Sequence, residues 1–362
     1  MPTIDRIEID LFRVPLPVPM EASAAGVMTA FDMVTARITC SDGVTGVGYT
    51  VCHAGQGSAI AAICEGPFRE VLQDQDPDLI EGLWRQMYKA VHYAGRGGPV
   101  TFALAAVDVA LWDMKGKRLG SPLWRLLGGA NPKVQAYAGN IDLNFPLEKL
   151  LEGGMASVEA GFRSVKMRLG RPTLAEDIAR VAAMRKHLPD YIELMADANE
   201  AWRVDQAIRA MIQLQPFDLV WLEEPIAPDN TAGYAHLRSL GLVPVALGEN
   251  HHTLAEFAAL FTAGGVDMPQ PDLTTCGGIT PFMKVARLAE AHGLPVMSHG
   301  AHDLHIHCLG AAPNAGYLEW HAFGLDQYMA DPLAVKDGFA TAPERPGHGI
   351  AFDWEKLAAL RP

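Results

Sequence analysis

Three short apolar runs in the middle of the chain each end in a carboxylate. They close on Asp197, Glu223 and Glu249, and each of these stands 26 residues from the one before. An apolar run, a polar tip and a helical stretch at such a period mark β/α units of a parallel sheet. Parallel strands are buried on both faces, so they read as continuous apolar runs. A carboxylate at the C-terminal end of such a strand adds nothing to the core. In a β/α barrel that end is where active sites are built. Three negative charges facing one another there repel, unless a cation sits among them. The simplest reading is a divalent metal held by Asp197, Glu223 and Glu249. Oxygen-only ligands favour Mg²⁺, or Mn²⁺, over zinc.

A chain of 362 residues can bury a sizeable core, in two domains or in one barrel with additions. The formal net charge of −13 argues against nucleic acid or an anionic membrane as partner, but leaves room for a small anionic substrate. Cys40, Cys52, Cys64, Cys276 and Cys308 are odd in number and lack CxxC spacing, so they read as reduced thiols of a cytoplasmic protein. No signal peptide and no membrane span is evident; Thr101–Met114 is interrupted by Asp108 and Asp113 and reads as a buried helix.

The first third reads as α+β. Residues 3–14 alternate as a strand, residues 15–30 hold three prolines without a period and read as a long loop, and a hairpin follows around Ser41-Asp42-Gly43. Helical patterns run through about 58–72, 79–93 and 99–118. After Gly128-Gly129 the β/α pattern begins, with strands ending near Asn140, Arg168, Asn199, Pro225, Asn250, Asp272, His299 and Trp320. Amphipathic helices at Leu174–His187, Asp205–Leu214 and Pro281–His292 lie between them. The expected division is an α+β domain over 1–125, completed by 326–362, and a barrel domain over 126–325.

The other strand tips carry acid–base groups. Lys166 and Arg168 are two residues apart on one strand, so both face the barrel mouth. Lysine can act as a base when nearby positive charge depresses its pKa; arginine essentially cannot. Asp272 and His299 end adjacent strands, where the carboxylate can hydrogen-bond one imidazole nitrogen and leave the other free for proton transfer. Glu319 closes the ring and could stay protonated, as a donor to a developing oxyanion. Asn199, two residues beyond Asp197, could touch substrate. Glu224 is expected to point away from the mouth. The run His299, His302, His305, His307 has the density of a second metal site, but 302–307 reads as a helix. Asp108, Asp113 and Lys115 read as salt-bridging within the first domain.

Together Lys166-x-Arg168, Asp197-x-Asn199, Glu223-Glu224-Pro225, Gly248-Glu249-Asn250, Gln270-Pro-Asp272, Ser298-His299 and Leu318-Glu319-Trp320 resemble the mandelate racemase subgroup of the enolase superfamily. The N-terminal third, down to Ala106–Asp113, resembles that family's capping domain. The resemblance implies a (β/α)7β modified TIM barrel under an α+β capping domain. It also implies Mg²⁺ on Asp197, Glu223 and Glu249 and abstraction of the proton α to a carboxylate. A Lys or His base with one or two Mg²⁺ ions is the general pattern for enolase-superfamily sites. One departure matters: the second-strand motif ends in Arg168 where the racemase pattern has lysine. A one-sided reaction led by His299 then becomes easier to write than racemisation. In it the enediolate expels a β-hydroxyl and an acid sugar, aldonate or aldarate, becomes a 2-keto-3-deoxy acid.

The expected function is therefore a Mg²⁺-dependent acid-sugar dehydratase, with a racemase or epimerase of a 2-hydroxy acid as alternative. A non-catalytic, metal-dependent carboxylate-binding barrel is the reading from another class. His53 and Arg96, on loops of the first domain, are candidates to contact the far end of the substrate. Relatives of this kind imply a homo-oligomer.

Overall fold

A computed structural model describes every residue except Met1, Ala130 and Ala322. The chain opens with a three-stranded antiparallel sheet, β1 (Ile4–Ala22), β2 (Gly26–Cys40) and β3 (Thr45–His53), in that order across the sheet. Alternation puts Val34, Ala36, Ile38 and Cys40 on one buried face, against helices Gly57–Ile63, Ile80–Val91 and Pro99–Arg118. The last of these starts with Pro99 at its first position and is apolar nearly all round, because it is packed on both sides. It reaches β3 at Gly48, where a β-carbon would collide with the Ala106 carbonyl.

The segment 15–30 is not a loop. β1 runs on to Ala22 and β2 returns from Gly26, so the two form a long ribbon with a tip at Ser23–Ala25. Pro15, Pro17 and Pro19 lie on its exposed face, and pairing skips from Pro15 to Met20. The missing proline N–H groups are tolerated on an edge strand at such an irregularity. The buried alternates, Leu16, Met20 and Ala22, carry the strand signal that the prolines conceal.

The second unit is the barrel-like sheet. Strands β4 (Lys133–Gly139), β5 (Ser164–Arg168), β6 (Glu193–Asp197), β7 (Leu219–Glu223), β8 (Val245–Leu247) and β9 (Met268–Pro269) pair in parallel, each with the next. β10 (Tyr317–His321) pairs in parallel with β4 and closes the ring. The expected strand ending at His299 is reduced to one bridge, Val296 to Ala315, with the Met297 N–H donating to the Pro269 carbonyl at 2.9 Å. Helix Leu174–His187 lies where its period puts it, capped by Thr173; helices Val204–Leu214 and Ile279–Ala291 lie within two residues of theirs. A hairpin, β11 (Val335–Lys336) and β12 (Phe339–Thr341), adds antiparallel to the start of β4. The tail then reaches the first sheet: the Arg13 N–H donates to the Leu360 carbonyl at 2.8 Å.

All five cysteines are free thiols. No helix among the described residues is long and apolar enough to cross a membrane.

Candidate active site

Asp197 and Glu223 are the last residues of β6 and β7, and Glu249 lies two residues past β8. One carboxylate oxygen from each lies within 4.8 Å of the other two. The turn before Glu249 passes so close to β9 that a β-carbon on Gly248 (φ 153°) would sit 2.7 Å from Gln270 backbone. The first two carboxylates each hold one oxygen back and turn the other inward. Glu223 Oε2 accepts from Trp221 Nε1 (2.9 Å) and Gln270 Nε2 (2.7 Å), and Asp197 Oδ1 accepts from the Asn199 N–H (2.9 Å). Such bonds orient ligating carboxylates. The donor set is all oxygen, which fits a hard divalent cation.

The inward oxygens meet the two cations of β5. Lys166 Nζ lies 2.5 Å from Glu223 Oε1, 3.3 Å from Asp197 Oδ2 and 2.8 Å from Glu319 Oε1. Burial alone would lower its pKa, but Glu223 and Glu319 override that and hold it above the usual lysine value. Lys166 is thus surrounded by negative charge, where the sequence reading invoked positive neighbours to free its amine. Arg168 Nη1 pairs with Asp197 and donates to Asn199 Oδ1 at 2.8 Å.

Across the mouth, His299 Nδ1 lies 3.0 Å from Asp272 Oδ2, and Nε2 faces Glu249 Oε2 at 3.3 Å and Glu319 Oε2 at 3.9 Å. Burial disfavours the imidazolium, but Glu249 and then the Asp272 hydrogen bond outweigh it and push His299 up to about 10. Asp272 is fixed by Thr274, whose N–H (2.7 Å) and hydroxyl (2.8 Å) donate to Oδ1. The surroundings of Glu319 favour its charged form over the protonated donor the sequence suggested. Burial would raise its pKa, but Lys166 and His299 hold it well below the usual carboxylate range, and Oε2 accepts from the Gly300 N–H at 2.8 Å.

From His302 on the histidine run is helical, in His302–Ala311, and its members serve separate partners. His302 pairs with Asp326 at 3.0 Å, His305 Nε2 accepts from the Leu273 N–H at 2.8 Å, and His307 Nε2 donates to the His348 carbonyl at 2.9 Å. Asp113 pairs with Lys117 at 2.6 Å, not with Lys115, and Asp108 reaches out of the first unit to the Thr280 N–H at 2.9 Å. Glu224 does not turn away. The strand has ended, its φ is 36°, and it lines the mouth while accepting from Asn250 Nδ2 at 2.9 Å.

Two adjoining cavities, of about 130 and 320 Å³, fill the mouth and share Glu249, Asn250 and His299. The smaller is lined by Arg168 and Asn199, and the larger extends toward the first sheet. His53 is exposed at the end of β3 and lines both. Arg96 is exposed and lines neither. The sequence reading missed His321, a buried ring whose Nδ1 has no partner among the described residues and which packs edge-on to His299 with centroids 5.6 Å apart. Its signal was available: it follows Glu319 by two on β10, the spacing that joins Lys166 to Arg168.

Residues 6–128 match the N-terminal domain of the mandelate racemase / muconate lactonizing enzyme family, and residues 151–356 match the enolase C-terminal domain-like family. The chain belongs to the enolase superfamily, in its mandelate racemase/muconate lactonizing enzyme subgroup. It is 47% identical, over 99% of each chain, to a 3,6-anhydro-alpha-L-galactonate cycloisomerase of Streptomyces coelicolor. It is 34% identical to an L-talarate/galactarate dehydratase of Salmonella typhimurium, over 98% of this chain and 91% of that one. Among solved structures, a racemase from Streptomyces coelicolor with bound magnesium superposes with a TM-score of 0.97 at 46% identity, covering 99% of this chain and 100% of that one. An L-talarate dehydratase from Polaromonas sp. JS666, complexed with Mg and L-glucarate, gives 0.95 at 34% identity, covering 100% and 98%. Magnesium is thus the ion found in relatives, and Asp197, Glu223 and Glu249 form the candidate site for it here.

Proposed function

We propose that this enzyme removes the proton α to the carboxylate of an acid sugar and expels the oxygen on the β carbon. The observation that carries this reading is the opposition of a single base to two cations across one mouth. His299 presents Nε2 to the cavity with Nδ1 on Asp272, and Lys166 and Arg168 stand beside the carboxylate triad opposite.

In this reading His299 Nε2 takes the α-proton, and Asp272 stabilises the imidazolium that forms. Lys166 and Arg168 meet the charge gathering on the substrate carboxylate. Glu319 keeps Lys166 charged and in place. A divalent cation on Asp197, Glu223 and Glu249 would supply further positive charge for the enediolate oxygens and offset the pull of Glu249 on His299. The carbon–oxygen bond then breaks, the leaving oxygen takes a proton from the imidazolium, and the enol tautomerises to a 2-keto-3-deoxy acid. A free hydroxyl departs as water, which is dehydration. In a 3,6-anhydro acid the β-oxygen belongs to the ring, so the same elimination opens the ring and loses nothing. The names of the two relatives, a dehydratase and a cycloisomerase, match these two outcomes of one step. Epimerisation, the alternative, needs a base on the opposite face; arginine is a poor base there, and Lys166 is held above the usual lysine value by Glu223 and Glu319.

The test is α-keto acid formation, read with semicarbazide, from Mg²⁺-loaded protein and a panel of acid sugars and anhydro acid sugars. The expected result is product with at least one substrate, its loss in EDTA, and a fall in kcat of about 1,000-fold in His299→Asn. Exchange of the α-proton in D₂O with inverted configuration and no keto acid would replace elimination by epimerisation.

A further inference from the structure

We infer that the substrate carries one carboxylate, and that its far end is uncharged and compact. This rests on the elimination reading, which seats the reacting carboxylate beside Lys166 and Arg168. The rest of the molecule must then extend past His299 into the larger cavity, of about 320 Å³.

That cavity is built mainly from Leu16, Met28, Phe31, Val51, Phe102 and Phe323. These come from all three strands of the first sheet, the helix Pro99–Arg118 and the segment after β10. Among the described residues no lysine or arginine lines it. Its two carboxylates are Glu249, a candidate metal ligand, and Asp272, held by His299 at 3.0 Å; neither gives a second carboxylate a positive partner, and His299, which also lines the cavity, is committed to the α-proton in the elimination reading. His252 cannot answer that charge as an imidazolium: its Nδ1 accepts from the Gly98 N–H at 3.1 Å, and burial holds its pKa below the usual value. His53 stands at the open rim. The two mouth cations, Lys166 and Arg168, stand beside Asp197 away from this cavity and serve the reacting carboxylate, so neither is left for a second one. The polar groups left to read hydroxyls are few, chiefly Gln56, Asn250 and Thr275. An open-chain diacid would bury an unpaired charge and leave hydroxyls without partners, whereas a ring-closed or shortened monoacid would not.

The test uses Mg²⁺-loaded full-length protein and matched probes: galactonate, 3,6-anhydrogalactonate and galactarate. Dissociation constants are measured by calorimetry, and α-proton exchange in D₂O by NMR. The expected result is that the better monoacid exceeds galactarate by about 100-fold in affinity and in exchange rate. Gln56→Arg, which places a cation on an exposed position of the same wall, should shift the ratio about tenfold toward the diacid. Galactarate binding within about tenfold of the monoacids, or a ratio unmoved in Gln56→Arg, would overturn the inference. Preferential monoacid binding without exchange would sink the elimination reading and leave this one standing.

Discussion

Asp108 shows how much a single residue's surroundings decide. On the sequence it is one more acid on a helix of the first unit. In the fold it is fully buried, Oδ2 accepts from the Thr280 N–H at the start of helix Ile279–Ala291, and Oδ1 has no partner among the described residues. Burial pushes its pKa up to about 7, against the smaller opposing effect of Thr280. The folded pKa is raised above the unfolded one. Its contribution to stability is therefore fully present below about pH 4, and is lost as pH rises through about 7. Asp108→Asn removes that slope. Unfolding free energies from urea titrations at pH 5 to pH 8 should fall less steeply in the variant, by up to about 3 kcal/mol across the range. Parallel profiles would show that Asp108 stays charged throughout. His321 makes the complementary point: its place on the inward face was legible from residue spacing, but its contact with His299 was not.

At the scale of elements, the ribbon formed by β1 and β2 is one of the pieces that reach from one unit to the other. Its tip residue Ser23 donates through its hydroxyl to the Ala198 carbonyl at 2.6 Å, beside the Asp197 tip. A β-carbon on Gly170 (φ 112°) would meet the same hydroxyl at 2.6 Å, so the tip is seated closely. Ser23→Ala loses one hydrogen bond, worth about 1 kcal/mol, that anchors the ribbon over the mouth. KM should rise about fivefold while the thermal midpoint stays nearly constant, because the bond joins the tip to the mouth and not two parts of a core. A fall in kcat at unchanged KM would show that the ribbon acts on the chemistry instead. The sequence reading lost this element because three prolines on the exposed face masked a strand whose alternate residues are buried.

For the whole molecule, the stability of the barrel and its metal affinity are linked. Asp197, Glu223 and Glu249 come together only when β6, β7 and β8 are in register. Mg²⁺ therefore binds the native chain and not the unfolded one, and a concentration 100 times its dissociation constant adds about 2.7 kcal/mol. The thermal midpoint should rise by a few degrees with Mg²⁺, and in Glu223→Gln most of that rise should vanish. An equal rise in the variant would place the ion elsewhere.

The sequence by itself determined the parallel sheet, the order of its tips and the grouping of the three carboxylates that form the candidate metal site. In such a sheet every strand runs the same way, so a carboxylate at the end of each apolar run reaches the same mouth, and 26-residue spacing puts neighbours side by side. Parity within a strand likewise made Lys166 and Arg168 one inward pair. Only the tertiary structure decided which charge faces which. Lys166 and Glu319 are distant in the chain and 2.8 Å apart in space, and each favours the other's charged form. It also turned Glu224 into the mouth, left Arg96 outside it, and lined the far cavity with side chains from the first sheet. Spacing along a chain sets direction and order; protonation and recognition depend on separations across it, and those exist only after folding.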